Sequence, residues 1–434
     1  MSTPLPSRNY AWYTVLLLTV VYIFSYIDRT ILGLLVEPIR KDLDLTDTQI
    51  SLLLGPAFAL FYTTLSVPLG WLADRWKRNW IVAIGVVVWS VATAACGLAR
   101  NFAQMAAARV MVGVGEATLS PCALPMIADS FPPDKRGKPI AVYSTALSLG
   151  GGIAALAGAS VIVWSKSAGS VTLPLLGQLA PWQFAFVAVG LPGIMLAVLM
   201  FLLHEPARQG QVGLTADDDA GLGDALRYLR RDWKMFGGFV AMVCVMTIIA
   251  YSQGWFAAMF ERTWGWPAEK YALYQGIMML AVGPASVFAT GWYIDRLHGQ
   301  GVIDAPIRLM IAATLIMLPT HALAPLMPNG NLAFALLALN LAMIASLTTS
   351  GATALMNITA GEVRSQVTAL YYVIISVTGL MLGPTTVGVL SDSVVGTDNI
   401  RYAVSLVAVI YGLPLLFTLR GTLRRYRERV VRLA

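Results

Sequence analysis

Four side chains that carry charge at neutral pH stand inside long apolar runs: Asp28 and Arg29 in one, Arg109 and Glu116 in another. At the centre of a membrane helix each would cost about 2.5–3.5 kcal/mol on insertion scales, so all four are expected to be paired and to face a cavity. Arg109, Gly113 and Glu116 fall at i, i+4 and i+7. That spacing puts them on one helix face, with the charges about 10 Å apart along the axis. Burial favours the neutral form of a carboxyl and a neighbouring arginine favours the ionised form. A carboxylate that met water in one state and arginine in another would therefore take up and release a proton. Glu116 is the first expected proton carrier and Asp28 the second. Arg109 and Arg29 stay protonated and would act as counter-ions or grip an anionic headgroup. From opposite membrane faces, Asp28 and Arg109 reach similar depths, which predicts an Asp28–Arg109 pair. The competing reading is a fixed ion-pair network that only clamps two helices.

These groups need membrane helices to position them, and the composition supplies them. The chain has 434 residues, 57% of them hydrophobic and only 12% charged, with a mean hydropathy of +0.69. A soluble domain carries about 25% charged residues, so a water-facing surface is excluded. The net charge of +7 does not indicate nucleic acid, because the basic residues sit in short loops between apolar runs. Cys96, Cys122 and Cys244 have no metal or disulfide spacing and read as buried thiols. His321 reads as a packing residue, and His204 and His298 lie at span ends. No cofactor or metal is expected.

A hydrocarbon core about 30 Å thick needs about 20 apolar residues per helix. Such runs recur along the chain, Arg109 and Glu116 lying near 102–128, and predict an all-α integral membrane protein with twelve transmembrane helices. Orientation follows the excess of Lys and Arg on the cytoplasmic side. With the N-terminus inside, inner loops carry 21 of the 30 Lys and Arg residues, which places both termini in the cytoplasm. No cleavable signal peptide is expected, since the first apolar run is long and continues past a charged pair.

The only long loop divides the chain into an N-terminal six-helix bundle (1–204), a linker (205–231) and a C-terminal six-helix bundle with a basic tail (232–434). Leu222, Ala225, Leu226 and Leu229 at i, i+3, i+4 and i+7 predict a short helix lying on the membrane surface. The halves repeat. Gly70-Trp-Leu-Ala-Asp74-Arg75 returns 221 residues later as Gly291-Trp-Tyr-Ile-Asp295-Arg296. Arg136…Ala141-Val-Tyr143 returns 228 residues later as Arg364…Ala369-Leu-Tyr371. Two matches in the same order indicate a duplicated six-helix unit.

The sequence resembles the major facilitator superfamily. The residues that carry the likeness are Gly70-x-x-x-Asp74-Arg75-x-x-Arg78 after the second helix, Arg109-x-x-x-Gly113-x-Gly115-Glu116-Ala117 in the fourth, and Glu205-Pro206-x-Arg208 ending the sixth. More narrowly it resembles the Spinster branch, through Tyr26-Ile-Asp28-Arg29, Gly113-Val-Gly115-Glu116-Ala117 and Ser120-Pro121. The resemblance implies two six-helix bundles around a central cavity that opens to alternate sides. For the branch it implies transport of lysolipids or sphingoid lipids, sometimes with protons. It also implies a cytoplasmic latch: Gly70 admits a neighbouring helix, Asp74 accepts bonds from the start of the eleventh helix near Ser365, and Arg75 reaches Asp129. Lys77, Arg78 and Lys138 read as solvated loop charges.

The C-terminal half has no charged residue inside its predicted spans, and its polar candidates are Tyr251, Gln253, Asn340, Ser346, Thr348, Thr349, Ser350, Thr353, Asn357, Tyr371, Tyr372 and Ser376. Small polar residues more often mediate helix packing than bind ligand, so Tyr251, Gln253, Thr349, Thr353, Tyr371 and Tyr372 are only possible cavity residues. A charged wall opposite an apolar one suits an amphipathic substrate. The expected function is thus a proton-coupled carrier of a lysophospholipid or sphingoid lipid. The alternative is a proton-coupled carrier of small organic anions or drugs. Partners would be that substrate, protons and membrane lipids, with no nucleic acid and a monomeric protein. A bacterial inner (cell) membrane is the expected location. No nucleophile–base set, metal cluster or phosphate-binding glycine loop suggests an enzyme.

Overall fold

Backbone inside hydrocarbon must satisfy its own N–H and C=O groups, which leaves helices or closed barrels as the spanning forms. The computed structural model describes residues 5–132, 135–168, 171–173, 177–208, 222–359 and 363–433. Among them twelve helices are long and apolar enough to cross a membrane. Spans 1 to 6 are Arg8–Leu34, Asp47–Ser66, Arg78–Cys96, Phe102–Ser130, Leu149–Ser167 and Pro181–Leu202. Spans 7 to 12 are Trp233–Trp264, Ala268–Gly299, Ala305–Leu326, Gly330–Ile358, Gln366–Val395 and Thr397–Arg432. The protein is an all-α, multi-pass integral membrane protein. Span 7 runs further than the sequence suggested, and its last turn includes Glu261 and Arg262.

Local signals set several helix starts. Thr46 and Gln49 form a reciprocal capping box ahead of span 2. Asn101 Oδ1 accepts from Gln104 N at 3.0 Å at span 4, and Asn329 Oδ1 accepts from Leu332 N at 2.9 Å at span 10. Span 2 breaks at Gly55-Pro56 into helices Asp47–Leu54 and Pro56–Ala73, because proline has no N–H for the ladder. Between spans 5 and 6, Val171–Leu173 pairs antiparallel with Gly177–Leu179, so the Ser/Gly/Pro-rich turn holds a short hairpin.

By contact the chain forms two units. The first is Met1–Val212 with Phe256–Glu261 and Gly265–Leu280; the second is Gly213–Trp255, Arg262–Trp264 and Ala281–Ala434. Residues 209–221 of the linker lie outside the described residues; the predicted surface helix is present as Leu222–Arg231. In the first unit spans 3 and 6 pack together and span 4 lies against spans 2 and 3. In the second, span 7 packs on spans 11 and 12, and span 9 on span 10. Both copies of the Gly-Trp-x-x-Asp-Arg repeat stack an arginine on the tryptophan one turn earlier. Arg75 lies 4.0 Å from the Trp71 ring centre and Arg296 5.3 Å from that of Trp292.

Candidate functional site

The charged residues of spans 1 and 4 meet inside the first unit. Ser25 and Arg29 are four residues apart on span 1 and so share a face. Both reach Glu116 on span 4. Its Oε2 accepts from Ser25 Oγ at 2.8 Å and from Arg29 Nε, with Arg29 Nη2 completing the ion pair. Glu116 is fully buried, whereas the Arg29 side chain keeps 19% of its surface. The Arg29 guanidinium lies 4.7 Å from the ring centres of both Phe58 and Tyr62 on span 2. Cation–π attraction of about 0.5–2 kcal/mol per contact helps to fix it there. Tyr22 extends the aromatic surface, 5.4 Å from Tyr26 and stacked 5.3 Å from Tyr143.

Glycines let span 4 come this close. A Cβ on Gly113 would lie 2.5 Å from the Phe58 carbonyl oxygen, and one on Gly115 would lie 2.7 Å from the Trp89 backbone nitrogen. Both obstacles are backbone, so neither can swing aside. The glycines of the fourth-span motif thus place Arg109 and Glu116 against spans 2 and 3.

The expected Asp28–Arg109 ion pair is absent. Arg109 donates to backbone carbonyls, from Nε to Leu53 at 3.3 Å and from Nη1 to Asp28 at 3.5 Å. No carboxylate lies within 4 Å of Arg109 among the ion pairs of the described residues. Asp28 is 2% exposed, and its Oδ1 has no hydrogen-bond partner. The depths matched; the azimuths did not. Neighbours on a helix point about 100° apart, so with Arg29 turned to Glu116 the Asp28 carboxylate is aimed elsewhere.

The ends of the first unit also depart from expectation. Arg75 does not reach Asp129: it is exposed and donates to the Trp71 carbonyl at 3.2 Å. Asp129 instead pairs with Arg78 at 2.7 Å. Arg78 is no solvated loop charge. It is 4% exposed, and Glu205 accepts from its Nε at 2.7 Å and from its backbone N–H at 3.0 Å. Arg208 bonds the Ala73 and Trp76 carbonyls, so the end of span 6 ties spans 2, 3 and 4 together. Gly70 meets only Pro121, at an ordinary 3.8 Å from an added Cβ. Asp74 is exposed, and the Ser365 side chain lies outside the described residues.

In the second unit the polar candidates mostly serve their own helices. Thr349 Oγ1 donates to the Ala345 carbonyl at 2.9 Å, and Thr353 Oγ1 to that of Thr349 at 3.1 Å. Tyr371 is buried and stacked 5.9 Å from Phe239. Gln253 begins a short 3-10 turn and is half-buried. Tyr251 and Tyr372 remain exposed. Sequence reasoning missed Ser25, Phe58, Tyr62 and the hub role of Arg78. Ser25 was legible as the residue one turn before Arg29. The aromatics of span 2 carried no spacing signal toward a partner on another helix.

Comparison with known proteins agrees with this arrangement. The family model of the Major Facilitator Superfamily matches residues 18–303. An MFS-type efflux pump of Mycolicibacterium smegmatis is 29% identical over 391 residues, covering 90% of this chain and 86% of that protein. Protein spinster of Drosophila melanogaster is 29% identical over 250 residues, 57% of this chain and 38% of that one. A probable L-galactonate transporter of Escherichia coli is 26% identical, over 68% of this chain and 63% of that protein. The crystal structure of a bacterial homolog of the human lysosomal transporter Spinster, inward-facing and unoccupied, shares the fold with a TM-score of 0.83. It is 24% identical, with 98% of each chain covered. With a buried charge cluster on spans 1 and 4, twelve spans and the matching model, the chain belongs to the major facilitator superfamily of transporters.

Proposed function

We propose that this transporter couples proton movement to the carriage of an amphipathic lipid of the lysophospholipid or sphingoid type. The observation that carries the reading is the unequal treatment of two buried carboxylates on spans 1 and 4. Glu116 is locked to Arg29 and Ser25, whereas Asp28 has no cation within 4 Å among the ion pairs of the described residues. A carboxylate without an ion pair exchanges a proton without first breaking one. Asp28 therefore moves ahead of Glu116 as the proton carrier, and Glu116 becomes the group that holds Arg29. Arg29, with 19% of its side-chain surface open and framed by Phe58 and Tyr62, is the grip for an anionic headgroup. Among the described residues the second unit shows no counterpart of the Glu116–Arg29 pair in the middle of a span; the buried polar groups there are hydroxyls, Asn340 and His321 in a largely apolar surface, which suits an alkyl tail.

The likeness to an efflux pump and to a galactonate carrier favours a second reading, proton-coupled transport of small organic anions or drugs. The same Asp28, Arg29 and Glu116 would serve it. The excess of Lys and Arg in the loops assigned to the inner side supports a cytoplasmic location for both termini, and Asp74 remains our candidate for a latch between the halves. The test is a substrate screen in proteoliposomes with an imposed pH gradient, comparing a lysophospholipid, a sphingoid base, galactonate and a hydrophobic drug. Lipid accumulation that follows the gradient is expected, with Asp28→Asn abolishing accumulation but retaining counterflow. Gradient-driven uptake of galactonate or the drug alone would replace the lipid reading with the second. Unchanged proton dependence in Asp28→Asn would remove Asp28 from the coupling.

A further inference from the structure

The cations that transport leaves unused gather at one edge of the second unit. Span 12 carries Arg425, Arg429 and Arg432 at i, i+4 and i+7, one stripe of a helix. Between that stripe and the start of span 7 lies a cleft of about 350 Å³, walled also by Arg231, Trp233 and Lys234. Its floor is closed. Gly238 brings span 7 so near span 12 that an added Cβ would lie 2.0 Å from Thr422 Oγ1, and Met235 and Tyr426 are buried in the same packing.

Five basic and two acidic side chains line the cleft, and both acids are already paired. Asp232 Oδ2 accepts from Arg429 Nη1 at 2.9 Å, and Glu428 Oε1 from Arg424 Nε at 3.0 Å. Arg429 also donates to the Tyr228 hydroxyl and lies 4.9 Å from its ring, so it fastens the linker helix to span 12. That leaves Arg231, Lys234, Arg425 and Arg432 facing the cleft, none of them within 4 Å of a carboxylate among the ion pairs of the described residues. Arg425 donates to the Lys234 carbonyl at 3.4 Å. The start of span 7 adds the partial positive charge of a helix N-terminus. Beside this charge stand two largely exposed apolar groups: Trp233, 62% exposed and with Lys234 Nζ 5.7 Å from its ring centre, and Leu226 of the linker helix, 51% exposed. Tryptophan at the end of a spanning helix belongs at headgroup depth, and a basic pocket there recognises a lipid phosphate.

The geometry points to a binding site for the phosphate of an anionic diacyl phospholipid, taken from the leaflet that the basic ends of spans 7 and 12 meet. Lys234, Arg425 and Arg432 hold the phosphate, and Trp233 and Leu226 lie along the glycerol and the first acyl carbons. The site is contained in one unit at helix ends, so it stands whichever solute the protein carries.

The test is lipid retention by purified full-length protein, measured by native mass spectrometry with dioleoylphosphatidylglycerol and dioleoylphosphatidylcholine. Wild type is expected to retain the anionic lipid selectively. K234A/R425A/R432A should bind it at least about tenfold more weakly, whereas K77A/R296A/R420A, which removes three exposed cations elsewhere, should match wild type. Equal loss in both variants, or none in the first, overturns the site. Displacement of the lipid by millimolar inorganic phosphate would show a water-fed anion site and overturn the lipid assignment. A second measurement needs no charge removal: brominated phosphatidylglycerol should quench wild-type fluorescence more than that of Trp233→Phe. An unchanged difference with brominated phosphatidylcholine refutes the site.

Discussion

The two halves descend from one six-helix pattern and have diverged in what they bury. The first keeps a charged cluster under its surface: Ser25, Arg29 and Glu116 joined, Arg109 on two carbonyls, and Asp28 beside them. The second keeps neutral polar contacts, such as Asn340 Nδ2 donating to the Met317 carbonyl at 2.9 Å and to Thr320 Oγ1 at 3.2 Å. Its buried ionised carboxylate, Asp304, stands between spans 9 and 8 at the water edge, paired with Arg308 and Arg427. Duplication thus conserved the scaffold and left the chemistry to one copy. The difference teaches that helix-end motifs and interior charges answer to separate demands. Trp71–Arg75 and Trp292–Arg296 repeat in both halves, each arginine set on the tryptophan one turn earlier. Glu116 has no counterpart in the second half, where Ile344 stands 228 residues later.

The largest effect should come from splitting the buried pair of the first half. Removing one partner of a buried ion pair costs about 3–5 kcal/mol, because the other charge is stranded. Arg29→Met or Glu116→Gln should each lower stability on that scale, with Glu116→Gln the milder since an amide still accepts from Ser25. The double variant should recover most of the loss, as a double-mutant cycle on thermal unfolding in detergent will show. Simple addition of the two losses would mean that the pair is not a unit. A step smaller is the packing that positions it. Gly113→Ala inserts a methyl group 2.5 Å from the Phe58 carbonyl oxygen, and overpacking of this kind costs about 1–3 kcal/mol. Gly291→Ala, at the repeat motif of the second half, meets nothing within 4 Å and should be neutral in the same assay.

How much of this was legible follows from the range over which each signal acts. The twelve spans were, because hydrocarbon demands long apolar runs whatever their neighbours. The membership of Glu116, Arg29, Arg109 and Asp28 in one cluster was also legible, since intramembrane charge is too costly to scatter. The pairing within it was not. Depth along a helix can be counted from sequence, but the azimuth between two helices depends on packing, here on Gly113 against Phe58 and Gly115 against Trp89. For the same reason Arg78 was read as a loop charge, although Asp129 and Glu205 wait for it from spans that lie far away in sequence.

The second half should respond more mildly when its own polar core is cut. Interhelical hydrogen bonds between neutral groups in membranes average about 0.6 kcal/mol and reach about 1.7. Asn340→Ala should fall in that interval, well short of the Arg29 loss, and a deficit as large as the ion pair's would erase the contrast between the halves.

The smallest effect, and the sharpest probe of environment, concerns Asp304. Burial opposes its ionised form, but hydrogen bonds from Arg427 and Arg308 outweigh that and hold the carboxyl below its usual range. A carboxyl depressed in the folded state stabilises the protein above its unfolded value, about pH 3.9, and that contribution fades as pH falls through the lower folded value. The difference in thermal midpoint between wild type and Asp304→Asn should therefore be level from about pH 7 to 5 and shrink below about pH 4. Arg308 and Arg427 keep about half of their surface in water, at 51% and 46%. Salt should consequently weaken this cluster, since the screening length falls to about 3 Å at 1 M. The Glu116 side chain has no exposed surface, and the cost of splitting its pair should be unchanged by the same salt. If both costs fell together, water would reach the interior cluster as freely as the edge, and the distinction between the halves would be one of sequence alone.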